Sequence, residues 1–205
     1  MERKYRKGKI MKKVLILMLS VLLVALCACN AQKPEDIGST TIYFANDGSI
    51  IATYVEDFSQ PQYDMEELRA MTEEGIAAYN TAAGADKIAM TYFEVEGNIA
   101  KMQLTFTDTA AYREYIGEDV FVGTIAEALE ADYDLDVSLV NVSNAEDVIG
   151  EHELLTMQES KVVIVAEQVH VRTESKIVYM SSDAKYIDEY EVDGFENPDA
   201  TVIIY

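Results

Sequence analysis

Few side chains in this sequence have types and spacing that could do chemistry. The densest group is Asp132-Tyr133-Asp134-Leu135-Asp136. Carboxylates at alternate positions open the calcium cage of an EF-hand, whose loop also needs glycine at its sixth position and a bidentate glutamate at its twelfth. Those positions hold Val137 and Ser143, so any calcium site here has to be assembled differently. The two histidines are His152, between Glu151 and Glu153, and His170, which alternates with Val169 and Val171 on the expected wet side of a strand. Neither has a partner at metal-ligand spacing, and both read as surface histidines. Glu66, Glu67, Glu73 and Glu74 read as the solvated side of a helix rather than an acid/base couple, and Tyr112 with Tyr115 as half-buried packing. There is no Gly-x-Ser-x-Gly elbow, no complete Ser-x-x-Lys set and no glycine-rich phosphate loop. These residues assign no catalytic, cofactor or metal site.

The stretch that decides where such a domain works comes earlier. Lys12 and Lys13 precede Val14 to Leu26, a run of 13 residues whose one polar member is Ser20. Positive charge followed by a short apolar segment is the order of a secretory signal peptide, and the run is short for a membrane span, which needs about 20 apolar residues. Arg3, Lys4, Arg6, Lys7 and Lys9 lengthen the basic leader ahead of Met11. Either the n-region is extended or translation starts at Met11, which is favoured because the chain from there is already a complete signal.

The end of that run, Leu26-Cys27-Ala28-Cys29, resembles the lipobox of bacterial lipoproteins, in which a small residue precedes the modified cysteine. The resemblance implies cleavage after Ala28 and diacylglyceryl modification of the Cys29 sulfur. Two acyl chains meet the physical requirement for stable anchoring without a span. The expected organisation is a signal peptide over 1–28, a flexible linker over 29–40 and a single extracytoplasmic domain over 41–205.

Removal of the leader takes seven of the 16 basic residues and one of the 37 acidic ones, so nine remain against 36, a net charge of -27. Such a surface repels nucleic acid, whose binding depends on Lys and Arg neutralising phosphate, so no nucleic-acid partner is expected. It keeps a tethered domain soluble, and it could attract divalent cations or a basic partner. With Cys27 removed and Cys29 acylated, no cysteine is left for a disulfide, a metal site or a thiol nucleophile.

The elements that must carry any site follow from pattern. Two β-rich runs around Asn46-Asp47-Gly48 predict a hairpin over Thr41 to Val55. Asp64, with Glu67 three residues on, opens a helix in which Met65, Leu68, Thr72, Ile76 and Tyr79 form the face packed on the sheet, and Gly84 stops it. Ile88 to Val95 and Ile99 to Thr107 predict a second hairpin, with Ala100, Met102, Leu104 and Phe106 on the core side. Asp108 or Thr109 caps a short helix closed by Gly117, and Thr124 with Glu127 makes a capping box. Further on, Val137 to Val142 reads as strand, Asn144 to Glu159 fits neither pattern cleanly, with room for a helical turn around Asp147 to Leu155, and Lys161 to Ala166 reads as a buried strand. Lys176 to Met180, Tyr186 to Val192 and Thr201 to Tyr205 read as further strands. The fold class is therefore α+β: two hairpins, a packed helix and short helices, then a mostly β C-terminal third.

Tyr63 to Leu68, Phe121 to Ala128 and Tyr133 to Val137 are similar to segments of small uncharacterised membrane lipoproteins of Gram-positive bacteria. That resemblance implies a lipid anchor on the extracytoplasmic face of the cell membrane and brings no activity with it. The expectation is a non-enzymatic binding or interaction domain whose partners are the membrane, through its lipid, and an envelope protein or ligand. The rival expectations are a receptor for small molecules or divalent cations, and a wall-active hydrolase using paired carboxylates.

Overall fold

The structure is a computed structural model that describes residues 32–60, 62–197 and 200–205. The signal peptide, its cleavage and the lipidation of Cys29 lie outside the described residues. The chain from Gln32 onward forms one compact unit of mixed α+β class. At its start Pro34–Asp36 is a single 3₁₀ turn, Ile37 is buried, and Lys101 Nζ donates to the Glu35 carbonyl at 2.7 Å. The chain thus joins the core before Thr41, inside the span expected to be linker.

The first hairpin forms as expected, with β1 Thr41–Phe44 and β2 Ile50–Asp57 antiparallel around Gly48 at φ 88°. Helix α1, Met65–Ala83, starts where the Asp64 carboxylate accepts from the Glu66 and Glu67 amides at 2.8 and 3.0 Å. It ends at Gly84, whose φ of 68° is the left-handed cap that glycine adopts without strain. Strands β3 Ile88–Glu96 and β4 Ile99–Phe106 pair as the second hairpin, with a bulge between Met90 and Tyr92. Asp108 caps α2, Thr109–Ile116, and after β5, Val120–Thr124, a capping box formed by Thr124 and Glu127 opens α3, Ile125–Glu130.

The last third departs from expectation in three places. The segment expected to hold a helical turn, Asp147 to Leu155, is strand up to Ile149, in β7, Asn144–Ile149, which pairs with β6, Leu139–Asn141, and is helical over Glu151–Leu154, as α4. The strand expected from Lys176 begins at Tyr179, as β10, Tyr179–Ser181. The strand expected over Tyr186 to Val192 is two, β11 Lys185–Asp188 and β12 Glu191–Asp193, folded back on each other with Asp188 accepting from the Tyr190 amide at the turn. Strands β8 Lys161–Val165, β9 His170–Thr173 and β13 Thr201–Ile204 complete the set.

These strands make two sheets, ordered β11-β12-β9-β1-β2-β4-β3 and β5-β8-β13-β10-β6-β7. Only the β1–β9 pair is parallel among the pairings described, joining Thr41 to His170 and Phe44 to Thr173. Side-chain alternation explains the layers. Val163 and Val165 of β8 point into a core shared with Ile42, Phe44, Leu104, Phe106 and Val171 of the larger sheet. Val162 and Ile164 point the other way, into a second core with Ile125, Ala128, Leu139 and Leu154. The smaller sheet is therefore buried on both faces around β8 and β13, which accounts for the unbroken apolar run in β8. Ile76 of α1, with Ala111 and Tyr112 of α2, joins the core on the β3–β4 side.

Candidate functional site

The expected apolar face of α1 is only partly used. Ile76 is buried and Tyr79 packs against the core, but Met65 at the head of the helix is 41% exposed; Met71, outside that expected face, is 65% exposed. The reason lies in the sheet beneath. Tyr54 of β2 stands opposite Met102 of β4, and Glu56 opposite Ala100, at the end of the hairpin where the small Ala100 side chain leaves space over the sheet. Phe58, Gln62 and Tyr63 stand beside that space, with the Phe58 amide donating to the Asn98 carbonyl at 2.6 Å.

The result is a groove of about 480 Å³. Tyr54, Ala100 and Met102 line it from the sheet, Phe58, Gln62 and Tyr63 from between β2 and α1, and Leu68 and Met71 from α1. The Phe58 and Tyr63 rings lie 5.1 Å apart at 32° and form one wall. Its polar lining is acidic: Glu56, Asp57, Asp64 and Glu67, with no basic side chain among the lining residues. Asp57 is occupied by the Ser59 amide at 2.8 Å, and hydrogen bonds from Ser59 hold its carboxyl below the usual range. Asp64 is occupied in capping α1.

A larger furrow of about 740 Å³ runs along the other flank of α1, past Glu73, Ile76, Ala77 and Asn80 and against Met90 of β3. Its main polar group is already committed. Asn80 Oδ1 accepts from the Lys87 and Ile88 amides at 2.9 and 3.0 Å, and Nδ2 donates to the Ile88 carbonyl at 2.8 Å, so this side chain stands in for a neighbouring strand at the edge of the sheet. The aromatic, acidic groove is the better candidate.

Two buried polar networks lie elsewhere, and the first corrects the reading of His170. On the outward face of the larger sheet its Nδ1 is 2.7 Å from Glu191 Oε1, with its side chain 17% exposed, so it is not a surface histidine. Arg172 Nη1 donates to the other Glu191 oxygen at 2.8 Å and to Asp188 Oδ2 at 3.1 Å. The pairing of β12 beside β9 sets Glu191 opposite Arg172 and Asp193 opposite His170, closing carboxylates over both. His152 is exposed on α4, as expected.

The second network joins Tyr112 of α2, whose hydroxyl donates to Glu167, and Tyr54, whose buried hydroxyl has no hydrogen-bond partner among the described residues. Burial pushes both phenols upward. Burial also raises Glu167, assisted by the Glu118 charge and opposed by the Tyr112 hydrogen bond. A carboxyl raised in this way is the raw material of a general acid, but Glu167 lines neither groove.

The remaining sequence candidates stay apart. Asp134 accepts from the Asp136 amide at 2.9 Å, while Asp132 holds a φ of 60°, so the segment is a turn. Among the described residues no three His, Cys, Asp or Glu side chains stand close enough to share a metal ion. Glu66, Glu73 and Glu74 are solvent-facing, whereas Glu67 belongs to the groove. Ser182 and Lys185 have Ser-x-x-Lys spacing without companion motifs, and both are exposed beside β10 and β11. Sequence reasoning missed Tyr54, Glu56, Phe58 and Tyr63, which it took for a strand end and a break in pattern. The available signal was three aromatic residues and five carboxylates within Tyr54 to Glu67.

With this geometry in place, the chain defines a two-sheet α+β domain with an open groove at the head of its longest helix. No protein-family model, no curated protein and no solved structure matches it.

Proposed function

We propose that this chain is a lipid-anchored domain on the extracytoplasmic face of the cell membrane that binds another envelope component or ligand and performs no catalysis. The observation that carries the binding reading is the groove beside α1, where the lining residues Tyr63 and Met71 remain 49 and 65% exposed. Large side chains left uncovered together around a concavity mark interaction sites, whereas singly scattered ones do not. The anchor reading rests on the lipobox-like Leu26-Cys27-Ala28-Cys29 and on the acidic exterior.

A single expression experiment tests both halves. The full chain, produced in a Gram-positive host, is followed by mass spectrometry of its N-terminal peptide and by membrane fractionation, with a photo-crosslinking residue at position 71 or, as control, at 130. The expected result is a diacylglyceryl Cys29, loss of the membrane fraction in Cys29→Ser, and a discrete adduct from position 71 alone. Membrane retention of Cys29→Ser without lipid refutes the anchor. Equal crosslinking from both positions refutes the groove as a binding surface.

A further inference from the structure

We infer that the groove at the head of α1 binds a small organic cation, an ammonium group carried on an apolar body. The inference rests on reading this groove as the binding surface and names its ligand class.

The walls dictate the two halves of the ligand. Phe58 and Tyr63 form a continuous aromatic wall, and Tyr54, Met71 and Met102 continue the apolar lining. Such a surface gains by covering hydrocarbon. Aromatic faces also attract a cation held within about 6 Å of the ring centre, most strongly one that is weakly hydrated, as alkylammonium groups are. The carboxylates supply the sign. Four of them line the groove without a lysine or arginine to neutralise them. Asp57 and Asp64 each already accept backbone amides through Oδ1, so Glu56 and Glu67 are the carboxylates with both oxygens open to a ligand. An anionic ligand would meet four like charges, and a neutral one would gain no attraction from them.

The same arrangement argues against a hydrated divalent cation. Calcium takes six to eight oxygen ligands at about 2.3–2.6 Å. Here no three carboxylates converge among the described residues, and the intervening walls are aromatic and aliphatic. A volume of about 480 Å³ falls in the range of small-molecule sites, about 300–1,000 Å³.

The test is calorimetric titration of the full-length protein, held in lipid nanodiscs, with benzyltrimethylammonium. Phenylacetate, benzyl alcohol and calcium chloride serve as comparison ligands. Saturable one-to-one binding of the cation is expected, at least tenfold tighter than benzyl alcohol, with no binding of phenylacetate and weakening as salt is raised. The double variant Glu56→Gln, Glu67→Gln should lose the cation's affinity tenfold or more, while Glu130→Gln, a carboxylate on α3, leaves it unchanged. Equal binding of cation and benzyl alcohol, insensitive to salt and to the double variant, overturns the ligand class and leaves the groove standing as a binding surface. Calcium binding that the double variant abolishes also overturns the class. Saturation by none of the four overturns both readings.

Discussion

Replacing Glu191 tests whether the polar cluster on the outward face of the larger sheet is structural. Glu191 is 5% exposed, and its two oxygens serve Arg172 at 2.8 Å and His170 at 2.7 Å. In Glu191→Ala the guanidinium keeps Asp188 at 3.1 Å, but that side chain is 44% exposed and cannot replace a buried counter-charge. Stripping one member from a buried ion pair costs about 3–5 kcal/mol, because the remaining charge stays desolvated. The surviving Asp188 contact puts the expected loss near the lower end, about 3 kcal/mol. Glu191→Gln keeps the shape, an acceptor oxygen for Arg172 and an amide that can donate to His170 Nδ1, but it removes the counter-charge of the guanidinium, and a loss of about 1–2 kcal/mol is expected. His152→Ala, on the exposed face of α4, should stay within about 0.5 kcal/mol of the parent. Urea unfolding followed by far-ultraviolet circular dichroism measures all three. A Glu191→Ala protein within 1 kcal/mol of the parent would refute the reasoning, for it would mean that the cluster is hydrated and the two histidines are alike.

Three further outcomes are expected. Gly194→Ala would set a Cβ 2.4 Å from Thr201 Oγ1 and 2.9 Å from the Val169 carbonyl. Backbone cannot yield cheaply, so a loss of about 1–3 kcal/mol should appear in the same urea series. Asp64→Ala removes the acceptor for two amides at the start of α1 and should cost about 1 kcal/mol, with reduced helical signal at intermediate urea. Glu167→Gln should show a pH signature: burial raises the folded-state value above the ordinary 4.5. The native state therefore holds its proton more tightly than the unfolded chain, a contribution complete below 4.5 and lost as pH rises through the raised value. Thermal unfolding at a series of pH values should find the glutamine variant gaining on the parent as pH rises above 4.5, and a gap that narrows would contradict the assignment.

The parts of this fold that were legible in the sequence are those decided within about four residues. Asp64 and Gly84 bound α1, and Thr124 with Glu127 opens α3, because a cap is a contact between near neighbours in the chain. The hairpins were legible for a similar reason, since a short turn closed by Gly48 or by Gly97-Asn98 and the strands beside it fix their own register. What failed was set by partners far away. The parallel pairing of β1 with β9 joins Thr41 to His170 across most of the domain, and no local pattern announces it. His170 does face outward from its sheet, as the alternation with Val169 and Val171 implied. Outward ceases to mean wet once β12 lays Glu191 and Asp193 across the same face.

The groove was hidden by a different mistake, that of taking an apolar stripe for a buried one. Met65, Leu68, Thr72, Ile76 and Tyr79 have helical spacing, and spacing alone cannot say how much sheet lies beneath each turn. Over the first two turns the covering layer is missing: Met65 stays exposed and Leu68 and Met71 border an opening over Ala100 and Met102, while Ile76, further along, reaches the shared core. A methionine that is 65% exposed contributes little to the core, so the fold itself gives no reason for an apolar side chain at position 71. Thirteen residues earlier in the chain, Phe58 is held by its amide against Asn98, so the aromatic wall is fixed by the backbone of the hairpin and does not depend on a ligand for its position. Stability and binding are therefore carried by different residues in this domain, the first by the two cores and the cluster around Glu191, the second by side chains at the head of α1 that the cores do not need.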